Sequence, residues 1–368
     1  MSDSIERVLS GKAWDEFCDS LKSAGRTILR PEAPATEIDR SEGWRYLTRL
    51  TRIGLEMLFE CADPQFPAFC SASHATAKIG ADNPDNLYLN AAIDGRHEYR
   101  IHGNRGSVHY LSFGSRINRY AVDGTMIETG QLEGSDLAIN PDGTFEIVLS
   151  ETRKSANWLP ITAQTNMIIV RQTFFDRSRE KPAELAIDCI GGPKWPQPLS
   201  AERLDRSLQA VAAFVKGTAH TFADWAQLFQ SRPNELLPWD QQMFQRAGGD
   251  PNIHYLHGYW RLAPDEALVI ETAVPRCKHW NLQLDNHWME SLDYRYLPVH
   301  VNSHTAQLQA GGSVRMIVAH EDPGLPNFLY TAGHQQGTML LRWVQAEQHP
   351  QPTCRVVKFA SLRGAGSR

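Results

Sequence analysis

From Gly11 to about His74, apolar residues recur at helical spacing: Trp14, Phe17 and Leu21 in one run, then Trp44, Leu47, Leu50, Ile53, Leu55 and Leu58 in the next. This period predicts two or three opening helices. The prolines of RPEAPATEIDR stop the first, and Asp39 or Ser41 is placed to cap the second. At Asn83 the pattern changes to short strand-like runs broken by turn residues. LYLNAAI and RHEYRIHG flank Asp94-Gly95, which reads as a type I′ hairpin, and further Asp-Gly turns follow in RYAVDGTMIETG and LAINPDGTFEIVLS. NMIIVRQTFFD and AELAIDCI extend the β region to the proline-rich IGGPKWPQPLS break. Ser200 then caps a helix whose apolar face runs through Leu204, Leu208, Val211, Ala212 and Val215 and on to Phe222, Trp225, Leu228 and Phe229. A second β series starts at His254, with Gly311-Gly312 as its hairpin signal and no sequence repeat of the first.

These elements predict a mainly β, α+β chain built as antiparallel β-sandwiches. Residues 1–80 form an N-terminal helical segment and 81–195 a first antiparallel β region. Residues 196–250 hold a helical insert, centred on 200–247, and 251–362 a C-terminal β-sandwich region.

Composition narrows the function classes. The 368 residues carry 37 basic and 42 acidic side chains, a net charge of -5, with no basic cluster of the kind nucleic acid requires. No apolar stretch reaches the ~20 residues of a membrane helix, and the charged N-terminus lacks a signal-peptide core. A cytoplasmic protein without nucleic-acid or membrane partners is expected; self-association into a homo-oligomer is left open. Six scattered cysteines form neither a disulfide nor a zinc pattern and read as reduced thiols. No phosphate-binding glycine loop and no GxSxG elbow is present, so no cofactor is expected.

Candidate chemistry concentrates in two stretches. AHEDPGLPNFLYTAGHQQGTMLLRW places Asp322, Asn327, Thr331, His334 and Arg342 in or beside one polar loop, where Asp322 and His334 can act as a carboxylate–imidazole pair. PRCKHWNLQLDNHWMESLDYRY alternates: His279, Asn281, Gln283 and Asp285 share one strand face, with Trp280, Leu282 and Leu284 on the other. The polar face is either solvated or, bordered by Trp288 and Tyr294, a ligand surface. Arg171 stands inside an apolar strand, where a guanidinium needs an anionic partner or water. His254 and His257 lie three apart on a strand and point to opposite faces, against their sharing a metal.

With NPDNLYLNAAIDGRHEYRIHGNRG, MIIVRQTFFDR and these two stretches in hand, the chain resembles the bacterial family called domain of unknown function 1214, most specifically over residues 275–343. The resemblance implies a jelly-roll-like β-sandwich with helical additions and no known reaction. Family members usually carry tryptophan and aspartate where this chain has Phe328 and Tyr330, which removes an acid from the loop.

The expected function is a cofactor-independent lyase, isomerase or hydrolase acting on a small, partly apolar metabolite. His334 is the expected base and Asp322 its orienter or a second acid. Asn281, Gln283, Trp288, Tyr294 and Asn327 position the substrate, and Arg342 or Arg171 binds an anionic group. The alternatives are a non-catalytic carbohydrate- or lipid-binding protein and a metal enzyme using convergent histidines.

Overall fold

A computed structural model describes residues 3–120 and 122–363. Three helices open it: α1 (Asp3–Leu9), α2 (Lys12–Ala24) and α3 (Glu37–Leu55), the last running into a π-helical turn at Glu56–Glu60. The α3 cap is Thr36, whose hydroxyl accepts from the Asp39 backbone N–H at 3.2 Å, one turn earlier than the sequence suggested. Strands β1 (Asn86–Ala92), β2 (Glu98–Asn104), β3 (Tyr110–Arg119) and β4 (Thr125–Glu133) come next. They continue with β5 (Thr144–Ser150), β6 (Trp158–Pro160), β7 (Met167–Thr173) and β8 (Glu184–Ile190). Helix α4 (Ala201–Gln230), capped by Ser200 as expected, leads through β9 (Leu236–Leu237) to α5 (Gln241–Arg246). The second series comprises β10 (Ile253–Arg261), β11 (Glu266–Ala273), β12 (His279–Leu284) and β13 (His300–Asn302). It closes with β14 (Ser313–Ala319), β15 (Phe328–Tyr330), β16 (Gln336–Val344), β17 (Thr353–Lys358) and helix α6 (Phe359–Arg363).

The two β series are topological copies. The first pairs its strands as β4-β3-β7-β1 and β6-β5-β2-β8; the second as β13-β12-β16-β10 and β15-β14-β11-β17, so adding nine to each label converts one sandwich into the other. The pairing directions agree as well: β5–β6 and β14–β15 are parallel and the remaining equivalent pairs antiparallel. Only β9, at the free edge of β10, breaks the match. In sequence the duplication survives as little more than a Tyr-Leu pair on β1 and β10. Tyr88 lies opposite Arg171 of β7, and Tyr255 opposite Arg342 of β16.

Each sandwich buries its own apolar core between its sheets: Tyr99, Phe113, Ile147 and Val170 in the first, Trp260, Trp280, Leu282 and Trp343 in the second. A third core joins α2, α3 and α4 through Phe17, Tyr46, Leu50, Val211 and Phe214. A fourth sets the second half of α4 and α5 against the outer face of β10 and β16, with Phe222, Phe229, Phe244 and Leu340.

Asp94-Gly95 does not make the expected hairpin. Strand β1 pairs with β7 and β2 with β5 and β8, so this segment crosses between sheets. The glycine serves close approach instead, because a Cβ there would stand 1.8 Å from the Thr162 carbonyl oxygen. Gly95→Ala is therefore expected to cost roughly 2–3 kcal/mol by overpacking. An unfolding free energy from urea denaturation lowered by less than about 0.5 kcal/mol, the range of an ordinary surface change, would contradict this contact. Asp123-Gly124 does join paired strands, β3 and β4, and Gly311-Gly312 turns the chain locally between Leu308 and Val314.

Candidate functional site

The alternation read from HWNLQLD holds, yet its polar face is not solvated. His279, Asn281, Gln283 and Asp285 are all at most 1 % exposed, roofed by the segment Ala81–Asn86 that leads into the first sandwich. His279 Nε2 meets Asp85 Oδ2 at 3.1 Å, and Asn281 donates to the same oxygen at 2.8 Å. Gln283 donates to the Asp82 carbonyl at 2.9 Å. A buried amide or imidazole is tolerable only when partnered, and this roof supplies the partners.

On the other side of this network the outer faces of the two sandwiches, with α4, enclose a central cavity of about 160 Å³. Its walls are mostly apolar, from Met126, Ile169, Phe222, Trp225, Phe244 and Leu340, with the two equivalent arginines and tyrosines among them. Arg171 is 6 % exposed and Arg342 4 %. Their surroundings differ. Arg171 donates to the Gly248 carbonyl at 2.5 Å and has Asp250 at 3.8 Å. Arg342 donates to Asn281 Oδ1, Gln283 Oε1 and the Ala81 carbonyl, all neutral acceptors. Ala81 presents that carbonyl from a left-handed backbone conformation, and its N–H is bonded at 2.6 Å to the carbonyl of Met289, itself left-handed. Strain of this kind persists only where the surroundings enforce it.

The tyrosines match as well. Tyr88 accepts from the Asn83 N–H at 3.1 Å and Tyr255 from the Asp250 N–H at 2.8 Å. Burial pushes the Tyr255 phenol up to about 12, keeping it protonated. His257, on the same face of β10 as Tyr255, is held well below the usual imidazole range, first by burial and then by the Arg342 charge, so it is neutral. Its Nδ1 has no hydrogen-bond partner.

Of the residues singled out in the sequence, Arg171 and Arg342 meet in this cavity, while Asn281 and Gln283 stand behind it and hold Arg342. The others lie elsewhere. His334 is buried with Nδ1 3.0 Å from Asp39 Oδ1, on α3. Asp322 is exposed and accepts from the Gly324 N–H at 2.7 Å, an Asx turn. No hydrogen bond joins Asp322 to His334, and neither lines the cavity. Asn327 ties Gln307 to Arg315 by backbone contacts, and Thr331 bonds His320. Trp288 is 1 % exposed in the helical core and donates to the Asp39 carbonyl at 2.8 Å. Tyr294 borders a separate hollow with His300 and Arg177. The histidines disperse: His254 stacks on His349, His287 contacts Tyr259, and among the described residues no three His, Cys, Asp or Glu side chains form a metal-holding group. All six cysteines are free thiols; Cys70 is buried and Cys18 exposed.

Sequence reasoning missed Tyr88, Tyr255 and His257 as cavity residues. The available signal was the repeated Tyr-Leu, each opposite an arginine-bearing strand.

Set against known proteins, the chain defines its class before any activity. A family model described as a protein of unknown function, DUF1214, matches residues 89–174, which span β1 to β7 and include Arg171 but not the 275–343 stretch. The chain is 52% identical to an uncharacterized protein of Burkholderia cenocepacia whose crystal structure it matches with a TM-score of 0.95, over 97% of this chain and 99% of that one. The chain belongs to the DUF1214 family. A Vibrio parahaemolyticus protein, VPA0106, is 11% identical over 86% of this chain and 98% of its own, with a TM-score of 0.48. No functionally curated protein matches the chain.

Proposed function

We propose that this protein binds a small, partly apolar anion in the central cavity, with Arg342 receiving the anionic group. One observation carries the reading: a guanidinium 4 % exposed, in a cavity wall, has only neutral acceptors among the described residues. A buried cation without a counter-charge is costly, and a ligand carboxylate or phosphate offsets that cost. Arg171, across the cavity, adds a second guanidinium that Asp250 already partly compensates. The shared strand order of the two sandwiches also supports reading them as jelly-roll-like.

Isothermal titration with octanoate tests the reading. Charge-assisted hydrogen bonds contribute about 1.5–3 kcal/mol, so Arg342→Gln is expected to weaken octanoate roughly tenfold or more, with Arg342→Lys intermediate. Equal binding by wild type and a folded Arg342→Gln variant would remove the cavity from consideration.

A second reading, cofactor-independent acid–base catalysis, is favoured by His257. His257 keeps a ring nitrogen free to take a proton, its basicity rising when a bound anion offsets the Arg342 charge, and the protonated Tyr255 phenol is a donor. In this reading the base is His257 rather than His334.

A further inference from the structure

The central cavity does not end at its own walls. A second space of about 470 Å³ adjoins it and shares six lining residues with it: Met57, Asn90, Asn118, Tyr120, Met167 and Phe214. These six stand between an inner chamber and an outer vestibule. The two compartments differ in chemistry. The inner one holds Arg171, Arg342, Tyr88 and Tyr255, whereas the vestibule sets an apolar wall of Leu58, Pro64, Ala92 and Ile93 beside polar Asn166, Ser207 and Arg206. Its other two arginines are paired, Arg203 with Asp63 at 3.2 Å and Arg119 with Asp123 at 2.8 Å. Met57 and Leu58 reach this space from the π-helical turn that ends α3, a distortion that recurs at functional sites.

Asp250 stands beside Arg171, and Asp82 is held by the Ser291 N–H at 3.1 Å and hydroxyl at 2.9 Å, within the field of buried Lys78. Arg342 touches no carboxylate among the described residues; the buried Asp285 carboxyl, pushed up to about 7 by burial, lies within its field without contacting it.

From this compartment order we propose that the ligand is an elongated carboxylate whose head sits at Arg342 and whose apolar chain passes through a neck between Met57 and Phe214 into the vestibule. The inference rests on the anion-binding reading and adds a direction and a length.

The test is titration of the protein with hexanoate, octanoate, decanoate and dodecanoate, each against wild type, Met57→Trp and Arg342→Gln. Met57 is only partly buried, so a tryptophan there narrows the neck without opening a core. Affinity is expected to rise up to about fourfold per added methylene as chain enters the vestibule. Met57→Trp is expected to weaken dodecanoate at least tenfold while leaving hexanoate within twofold. Affinity independent of chain length, or equal weakening of hexanoate and dodecanoate by Met57→Trp, overturns the elongated ligand. Loss of hexanoate binding in Arg342→Gln with flat chain-length dependence keeps the anion site and removes only this extension. Indifference of every ligand to Arg342→Gln removes the anion site itself.

Discussion

Replacing Asp85 with alanine is expected to destabilise the protein by roughly 3–5 kcal/mol, the range for removing one partner of a buried charged network. Its carboxylate is 3 % exposed and accepts from His279 at 3.1 Å, Asn281 at 2.8 Å and Asn302 at 2.8 Å, with His300 Nε2 at 3.3 Å. Deleting it takes a partner from four polar groups at the junction of the two sandwiches. Burial alone would raise this carboxyl, but the contacts from His279 and then His300 prevail and hold it far below the usual carboxylate range. A depressed folded value means that the stabilisation is present above the unfolded pKa of about 3.9 and is lost as pH falls below it. Urea denaturation at neutral pH measures the loss; a cost under about 1 kcal/mol, the scale of an exposed ion pair, would show that the junction does not depend on this charge.

The second large effect has the opposite sign. Asp285 sits in the same layer, fully buried, and burial pushes its carboxyl up to about 7 despite the hydrogen bond from Gln283. The folded chain therefore keeps a proton on Asp285 that the unfolded chain releases near pH 3.9, so stability falls as pH rises from about 4 to about 7 and then levels off. Asn is neutral at every pH and retains an acceptor for Gln283. The stability advantage of Asp285→Asn over wild type is expected to widen by about 3–4 kcal/mol between pH 4 and pH 8, at ~1.36 kcal/mol per pKa unit. Paired denaturation curves at the two pH values check this. A gap that does not change with pH would place the Asp285 proton elsewhere.

Local signals in the sequence were read well where a short segment decides its own structure. The Ser200 cap and the face of α4 came from local spacing, and so did the alternation of β12. Asp94-Gly95 misled because an Asp-Gly pair serves equally as a turn and as a place of close approach, and only the position of Thr162 distinguishes them. The duplication was hidden because strand order is maintained by core burial, which many apolar sequences satisfy. Arg171 and Arg342 were found by a physical argument, the cost of a guanidinium in an apolar strand. Their convergence was not legible, since the cavity draws on residues from Met57 to Arg342. His334 illustrates the same limit: its partner Asp39 lies 295 residues away on α3. His257 was set aside as a metal ligand because His254 and His257 face opposite ways, and that geometry is what turns His257 alone toward the cavity.

Whether Arg342 is the anion receptor of an inter-sandwich cavity is tested most directly by a crystal structure of the protein grown with octanoate. The carboxylate is expected within hydrogen-bonding distance of the Arg342 guanidinium, about 2.7–3.2 Å, with the chain directed toward Met57. Octanoate bound elsewhere, or a cavity holding only water at a saturating concentration, would contradict that role.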